Sequence, residues 1–196
     1  MKGILFIAAL ILGLFTSTAY AAEKNLENEL GKLLTEKNLK IACAESCTGG
    51  LLSSKLTDVA GSSAYVQGGI VSYSNDVKSS VLKVQPQTLR NFGAVSEQTA
   101  REMATNVREI CGADIGVGIT GIAGPDGGTV DKPVGTVYIS VCLSTKISTT
   151  TSRGTSTRSS NKTVVQRFNF NGSRSEIKNQ ACEAAMKMVI DVVNSI

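Results

Sequence analysis

Leu26, Leu30, Leu33 and Leu34 recur at helical spacing with Lys and Glu between them, so the chain after its first two dozen residues opens on an amphipathic helix. Asn38 closes that helix, and residues 39–44 read as a buried strand. A second helical stripe follows in Leu52, Leu56 and Val59. After the Gly61-Ser62-Ser63 break, residues 69–74 are predicted as a strand ending in polar groups. Asn75-Asp76 can cap a short helix carrying Lys78, Val81 and Leu82, and Pro86 opens another helical turn. Ser96 caps a longer helix with Ala100, Met103, Ala104, Val107 and Ile110 on one face, ended by Cys111-Gly112.

Residues 114–119 read as a second buried strand, and 134–143 as a third, rich in Val and Ile. Residues 145–162 are a polar run of Ser, Thr, Lys and Arg, either a hairpin excursion or a flexible loop. Polarity alternates again at 166–170, a strand able to pair antiparallel with 134–143. Ser173 or Ser175 starts the last helix, with Ile177, Ala181, Ala184, Ala185, Met188, Val189 and Val192 facing a core. Helices alternate with strands, so the pattern predicts an α/β fold, a three-layer α/β/α sandwich around a mixed, mostly parallel sheet. The chain shows no internal repeat and no linker dividing two domains.

The first residues carry a different pattern. Lys2 precedes an unbroken apolar run over 3–15, and Ala19-Tyr20-Ala21 fits a small-residue cleavage site. This reads as an export signal over residues 1–21, followed by one domain over 22–196, with a periplasmic destination. The apolar run is shorter than the ~20 residues of a comfortable membrane span. An uncleaved anchor is the alternative, and without use of the signal the location would be cytoplasmic.

Composition narrows the chemistry. The chain has 196 residues, a formal charge of +4 and no histidine, which removes the usual general base and the commonest metal ligand. Lys and Arg form no block, so a nucleic-acid footprint is not expected, whereas a small anionic ligand is compatible. The five cysteines, Cys43, Cys47, Cys111, Cys142 and Cys182, show no metal-binding spacing and are expected mostly as buried free thiols.

Two glycine-rich turns stand out. Ala44-Glu45-Ser46-Cys47-Thr48-Gly49-Gly50 lies between a strand and a helix, where a hydroxyl can be exposed and backbone N–H groups point outward. An ordinary helix cap explains Ser46 equally. Glu45 either orients a ligand hydroxyl or caps the helix. Gly116-Val117-Gly118-Ile119-Thr120-Gly121 spells a dinucleotide fingerprint, but its glycines fall inside the strand and no helix follows. Residues 120–129 instead form a rigid loop at a strand end, either a ligand wall or a plain reversal. Without imidazole, Ser46 and Lys78 are the plausible nucleophile and base, with Tyr73 relaying a proton or donating a hydrogen bond. A surface lysine and a strand-end tyrosine remain the simpler account. Arg174, at the start of the last helix, either meets a phosphate or faces solvent.

These residues resemble the CinA carboxy-terminal domain family, the nicotinamide-nucleotide amidases. The motifs of that resemblance are Ala44 to Gly50 as above, Asp58-Val59-Ala60-Gly61-Ser62-Ser63, Val71-Ser72-Tyr73-Ser74-Asn75 with Lys78, Gly93-Ala94-Val95-Ser96, the Gly118 to Gly128 loop, and Lys132-Pro133-Val134-Gly135-Thr136-Val137. The resemblance implies hydrolysis of the carboxamide of nicotinamide mononucleotide to nicotinate mononucleotide and ammonia. It also implies no cofactor or metal, no nucleic-acid or stable membrane partner, and a homodimer or higher homo-oligomer. Ser46 is then the nucleophile, Lys78 the base and Tyr73 the assistant. Glu45, Thr48, Gly49, Gly50, Thr120, Gly121 and Arg174 are then substrate-binding, the 48–50 amides holding the oxyanion and Arg174 the phosphate. Export departs from the family's pattern, and the stand-alone form is expected. An amidase for another anionic substrate, and a catalytically idle nucleotide-binding or interaction protein, are the competing functions.

Overall fold

The structure, a computed structural model, describes residues 25–151 and 154–196, with side chains over 25–144 and 160–196. The expected signal over 1–21 lies outside the described residues. In chain order the elements are α1 (Leu26–Glu36), β1 (Ile41–Glu45), α2 (Leu51–Thr57), β2 (Val66–Val71), α3 (Asn75–Ser80), α4 (Pro86–Phe92), α5 (Glu97–Ile110), β3 (Ile115–Gly121), β4 (Thr136–Thr151), β5 (Gly154–Asn169) and α6 (Arg174–Asn194). No helix among the described residues is long and apolar enough to cross a membrane.

The strands form one sheet in the order β2-β1-β3-β4-β5. β1 pairs parallel with β2 and with β3, while β3–β4 and β4–β5 are antiparallel. The sheet is therefore mixed as expected but evenly divided rather than mostly parallel, because the β4–β5 hairpin supplies the antiparallel half. Connections part at β1, whose neighbours lie on opposite sides, and ligands of such sheets bind beyond the carboxyl ends of the strands at this place. Ser46 follows β1 directly.

Period-two alternation sorts the two faces of the sheet. Ile41, Cys43, Ile115, Val117 and Ile119 point into the larger core with Leu30, Leu34, Leu52 and Leu56 of α1 and α2 and the apolar face of α6. Ala42 and Ala44 point the other way, into a smaller core with Leu82, Met103 and Val107. Gly116 and Gly118 share that second face. A Cβ at either position would collide with the main chain of α5, at the carbonyls of Ala104 and Ala100. The fingerprint-like glycines thus exist for close helix–strand packing. Gly118→Val is expected to cost about 3 kcal/mol or more through overpacking, read as a lowered midpoint in chemical denaturation.

Three boundaries differ from the sequence expectation. β2 ends at Val71, the partner of Glu45 at the end of β1, so Ser72 and Tyr73 lie past the strand. Ser74, not Asn75-Asp76, caps α3, its Oγ accepting from the Val77 N–H at 3.2 Å. The polar run belongs to the hairpin: β4 and β5 stay paired from Thr136↔Asn169 to Thr151↔Gly154. Thr and Ile in that run suit extended backbone whatever their polarity. Ser96 caps α5 and Ser173 caps α6 in a reciprocal box with Glu176. All five cysteines are free thiols, four of them buried.

Candidate active site

The turn after β1 is fixed at both ends. The Ser46 N–H donates to the Ile119 carbonyl at 2.9 Å, and the Gly49 N–H returns to the Ser46 carbonyl at 3.1 Å. Gly49 and Gly50 have φ of +65° and +97°, a backbone region costly for other residues, which lets the chain reverse into α2 within two residues. Ser46 is 8 % exposed. Its hydroxyl is not the cap of α2, because the carboxylate of Glu45 takes that role. Glu45 is 1 % exposed. It accepts from the N–H groups of Gly50, Leu52 and Ser53 at 3.0, 3.0 and 2.8 Å, and from the Ser53 hydroxyl at 2.7 Å.

Of the two readings offered for Glu45, the structure gives the cap. It also redraws the expected donors at residues 48–50. The N–H groups of Gly49 and Gly50 are consumed inside the turn, and Thr48 is buried. Among the described residues no main-chain or carboxylate acceptor takes the N–H of Cys47 or Thr48. Of the two, only Cys47, the residue after the serine, lines the pocket, so its amide is the one placed for a developing oxyanion.

Lys78 reaches the serine from α3. It is 1 % exposed, and its Nζ lies 2.9 Å from the Ser46 Oγ, 2.6 Å from the Ser72 carbonyl and 3.5 Å from that of Tyr73. No carboxylate touches it among the described residues. Burial therefore dominates and lowers its pKa below the usual 10.5. A neutral amine has two N–H groups and one lone pair. The charged form donates to the Ser46 Oγ as well as to the two carbonyls, and loss of its proton, which burial favours, turns a lone pair toward the serine hydroxyl. Burial also pushes the neighbouring Cys47 thiol up to about 12, so it stays protonated beside the serine.

Tyr73 lies elsewhere in the arrangement. The residue is 63 % exposed, and its hydroxyl accepts from the Arg174 guanidinium at 2.9 Å rather than meeting the serine. Arg174 also donates to the Gly124 carbonyl at 2.6 Å. Among the described residues no carboxylate pairs with Arg174, so its charge is open to an anion. Thr120 is buried with its hydroxyl donating to the Ala94 carbonyl at 2.7 Å, and so builds the wall instead of presenting a side chain. The Lys132 amine donates to the carbonyls of Phe92 and Val95 at 3.2 and 2.7 Å, tying the same wall to the glycine loop.

These groups enclose a pocket of about 290 Å³ over Ser46 and Lys78, with Tyr73, Arg174, Gly121 and the glycine loop around it. Glu45, Thr48, Gly49 and Gly50 do not line it. Asn75, Ala94 and Val95 do, and were not expected as site residues; Asp126 lines it too, within the 120–129 loop for which a ligand wall was one reading. Asn75 and Asp126 carried a faint signal, standing in the two strand-end loops that meet here. A larger hollow of about 390 Å³ between β5 and α6 is lined by Phe168, Phe170 and Met188 and holds no nucleophile–base pair. Among the described residues no group of acidic, thiol or imidazole side chains could hold a metal ion.

Comparison with known proteins fits this geometry. The sequence model of the CinA C-terminal domain matches residues 23–163. A CinA-like protein of Chlorobium limicola is 55 % identical over 168 residues, which is 84 % of this chain and 36 % of the relative. One of Geobacter sp. (strain M21) is 42 % identical over 163 residues, 83 % of this chain and again 36 % of the relative. The chain thus spans little more than a third of the curated relatives it matches. Among solved structures, the competence/damage inducible protein CihA from Agrobacterium tumefaciens superposes with a TM-score of 0.73 at 36 % identity, covering 87 % of this chain and 96 % of that one. A CinA superfamily protein from Klebsiella pneumoniae gives 0.76 at 32 % identity over 87 % and 97 %. With the family model spanning both the serine turn and the glycine loop, this chain belongs to the CinA C-terminal domain family.

Proposed function

We propose that the protein is an amidohydrolase that deamidates nicotinamide mononucleotide to nicotinate mononucleotide and ammonia, with Ser46 as nucleophile and Lys78 as base. The observation that carries this reading is the buried Lys78 amine at 2.9 Å from the Ser46 Oγ. An amide is a poor electrophile, and a covalent intermediate splits its hydrolysis into two easier steps.

Lys78 takes the Ser46 proton as the oxygen attacks the carboxamide carbon. The tetrahedral oxyanion faces the N–H group of Cys47. Lys78 returns the proton to the amide nitrogen, the C–N bond breaks, and ammonia leaves an acyl group on Ser46. Water then attacks that ester with Lys78 again as base, giving the carboxylic acid and the free serine. The glycine loop forms the pocket's far wall, and the uncompensated Arg174 offers a planar pair of donors to a phosphate.

The test is ammonia release from nicotinamide mononucleotide, with nicotinate mononucleotide identified by mass. No release together with tight binding of the nucleotide favours the idle binding protein. Release from other anionic amides alone favours the broader amidase. Arg174→Ala is expected to raise KM for the mononucleotide about 10- to 100-fold, the value of a charged hydrogen bond, with kcat little changed. For the corresponding riboside, which lacks phosphate, the substitution leaves KM unaltered, and steady-state kinetics on both substrates checks this. The proposal includes export through the leader at residues 1–21 and assembly into a homo-oligomer. Mass measurement of periplasmic material and light scattering test those two points.

A further inference from the structure

We infer that Glu45 is a positioning residue for Ser46, an internal anion that occupies the N-terminus of α2 and thereby aims the serine at Lys78. The inference rests on the amidohydrolase reading and adds a residue that touches neither substrate nor base. Helix N-termini present unsatisfied N–H groups and attract anions. In this fold the strand before the helix supplies the anion itself. Glu45 ends β1 with its side chain turned to the α2 face, as alternation from Cys43 requires. Its Oε2 accepts from Gly50 and Leu52 and its Oε1 from the N–H and hydroxyl of Ser53. Four donors around a carboxylate 1 % exposed leave no room for a ligand there.

The consequence reaches the serine through one turn of chain. Ser46 sits between two fixed points, the Glu45 carboxylate bound to α2 and its own N–H bound to Ile119. Between Ser46 and α2, Gly49 and Gly50 take left-handed φ values, a conformation that glycine permits but does not impose. Glu45 supplies the constraint. It also explains the acid before the serine in a site that binds an anion: its charge is spent on backbone donors and turned away from the pocket, which it does not line.

The conservative variant Glu45→Gln keeps size and one acceptor oxygen, but its amide hydrogens oppose the donors at the other. The readout is labelling of Ser46 by a fluorophosphonate, which reports serine nucleophilicity whatever the natural substrate. If Ser46 of the unaltered protein is not labelled, the amidohydrolase reading fails. If it is labelled, folded Glu45→Gln is expected to react about 100-fold more slowly, as an ångström of misplacement allows. The pH midpoint of labelling, which belongs to Lys78, stays where it was. In turnover, kcat falls and KM does not, whereas a merely structural loss reduces the amount of folded protein and leaves the rate constant of the remainder. Labelling of folded Glu45→Gln at the unaltered rate overturns the inference. Should Glu45→Gln fail to fold, Ser53→Ala carries the test, since it removes one donor only. A several-fold slower rate then supports the inference and an unchanged rate overturns it.

Discussion

Ser46→Ala is expected to lower ammonia release from nicotinamide mononucleotide by ~10³-fold or more, with the protein still folded. The size follows from the loss of covalent catalysis, leaving only binding and the oxyanion donor to assist direct attack by water. The fold is retained because the Ser46 turn is tied by main-chain bonds to Ile119 and within itself, none of which uses the hydroxyl, and the lost Lys78 contact costs only about 1 kcal/mol. Nucleotide affinity is also retained, as Arg174 and the glycine loop are untouched. Single-turnover assays on both proteins provide the check. Equal release from the two would remove Ser46 from the chemistry.

Lys78 gives the second large effect, and it carries a pH signature. Lys78→Arg keeps the charge but places a group there that does not lose its proton in proteins, so activity is expected to fall ~10³-fold. Lys78→Met removes the amine with similar loss. In the unaltered enzyme the free-base form is required, and burial holds its pKa below 10.5. kcat/KM therefore rises with pH and levels off after a midpoint below that value. The same shift enters stability. Between the lowered value and 10.5 the unfolded chain holds a proton that the folded chain does not, so unfolding free energy rises with pH across that window. Below the window both states are protonated and the cost of a buried charge is fully present. Lys78→Met is expected to lose this rise, measurable by denaturant titration at several pH values. A pH–rate profile identical in shape for Lys78→Arg and the unaltered enzyme would exclude Lys78 as the base.

Much of the fold was legible because periodicity reports burial. The stripes of α1, α5 and α6 and the apolar run of β1 fall where the sequence put them, and Ser96 and Ser173 cap their helices as polar side chains before apolar stripes do. The β4–β5 hairpin was only half legible. Its polar run offers no burial signal, and pairing with a neighbour, not side-chain polarity, holds it extended. The even split of parallel and antiparallel pairs depended on that hairpin as well.

The site was legible to the level of residue type. A serine in a glycine turn, the absence of histidine and a lysine one unit later made Ser46 and Lys78 candidates, the family resemblance gave them their roles, and the structure brings them within 2.9 Å of each other. Sequence left Glu45 open between ligand and cap, and it assigned Gly49 and Gly50 amides that the turn itself consumes. It placed Tyr73 with the serine, whereas the ring crosses to Arg174, 101 residues away in the chain. Asn75 was passed over, since nothing local marks it as sharing the pocket, and Asp126 entered only as part of its loop.

The sequence by itself determined the elements, the faces they bury, the chemistry open to a chain without imidazole, and membership of the CinA C-terminal domain family. Only the tertiary structure decided which polar groups are spent on the protein and which remain for a ligand. Hydrogen bonds such as Glu45 to α2, Thr120 to Ala94 and Arg174 to Tyr73 join groups by distance and direction in space. Periodicity along a chain carries burial but not direction across the fold, so that division could be read only from the folded molecule.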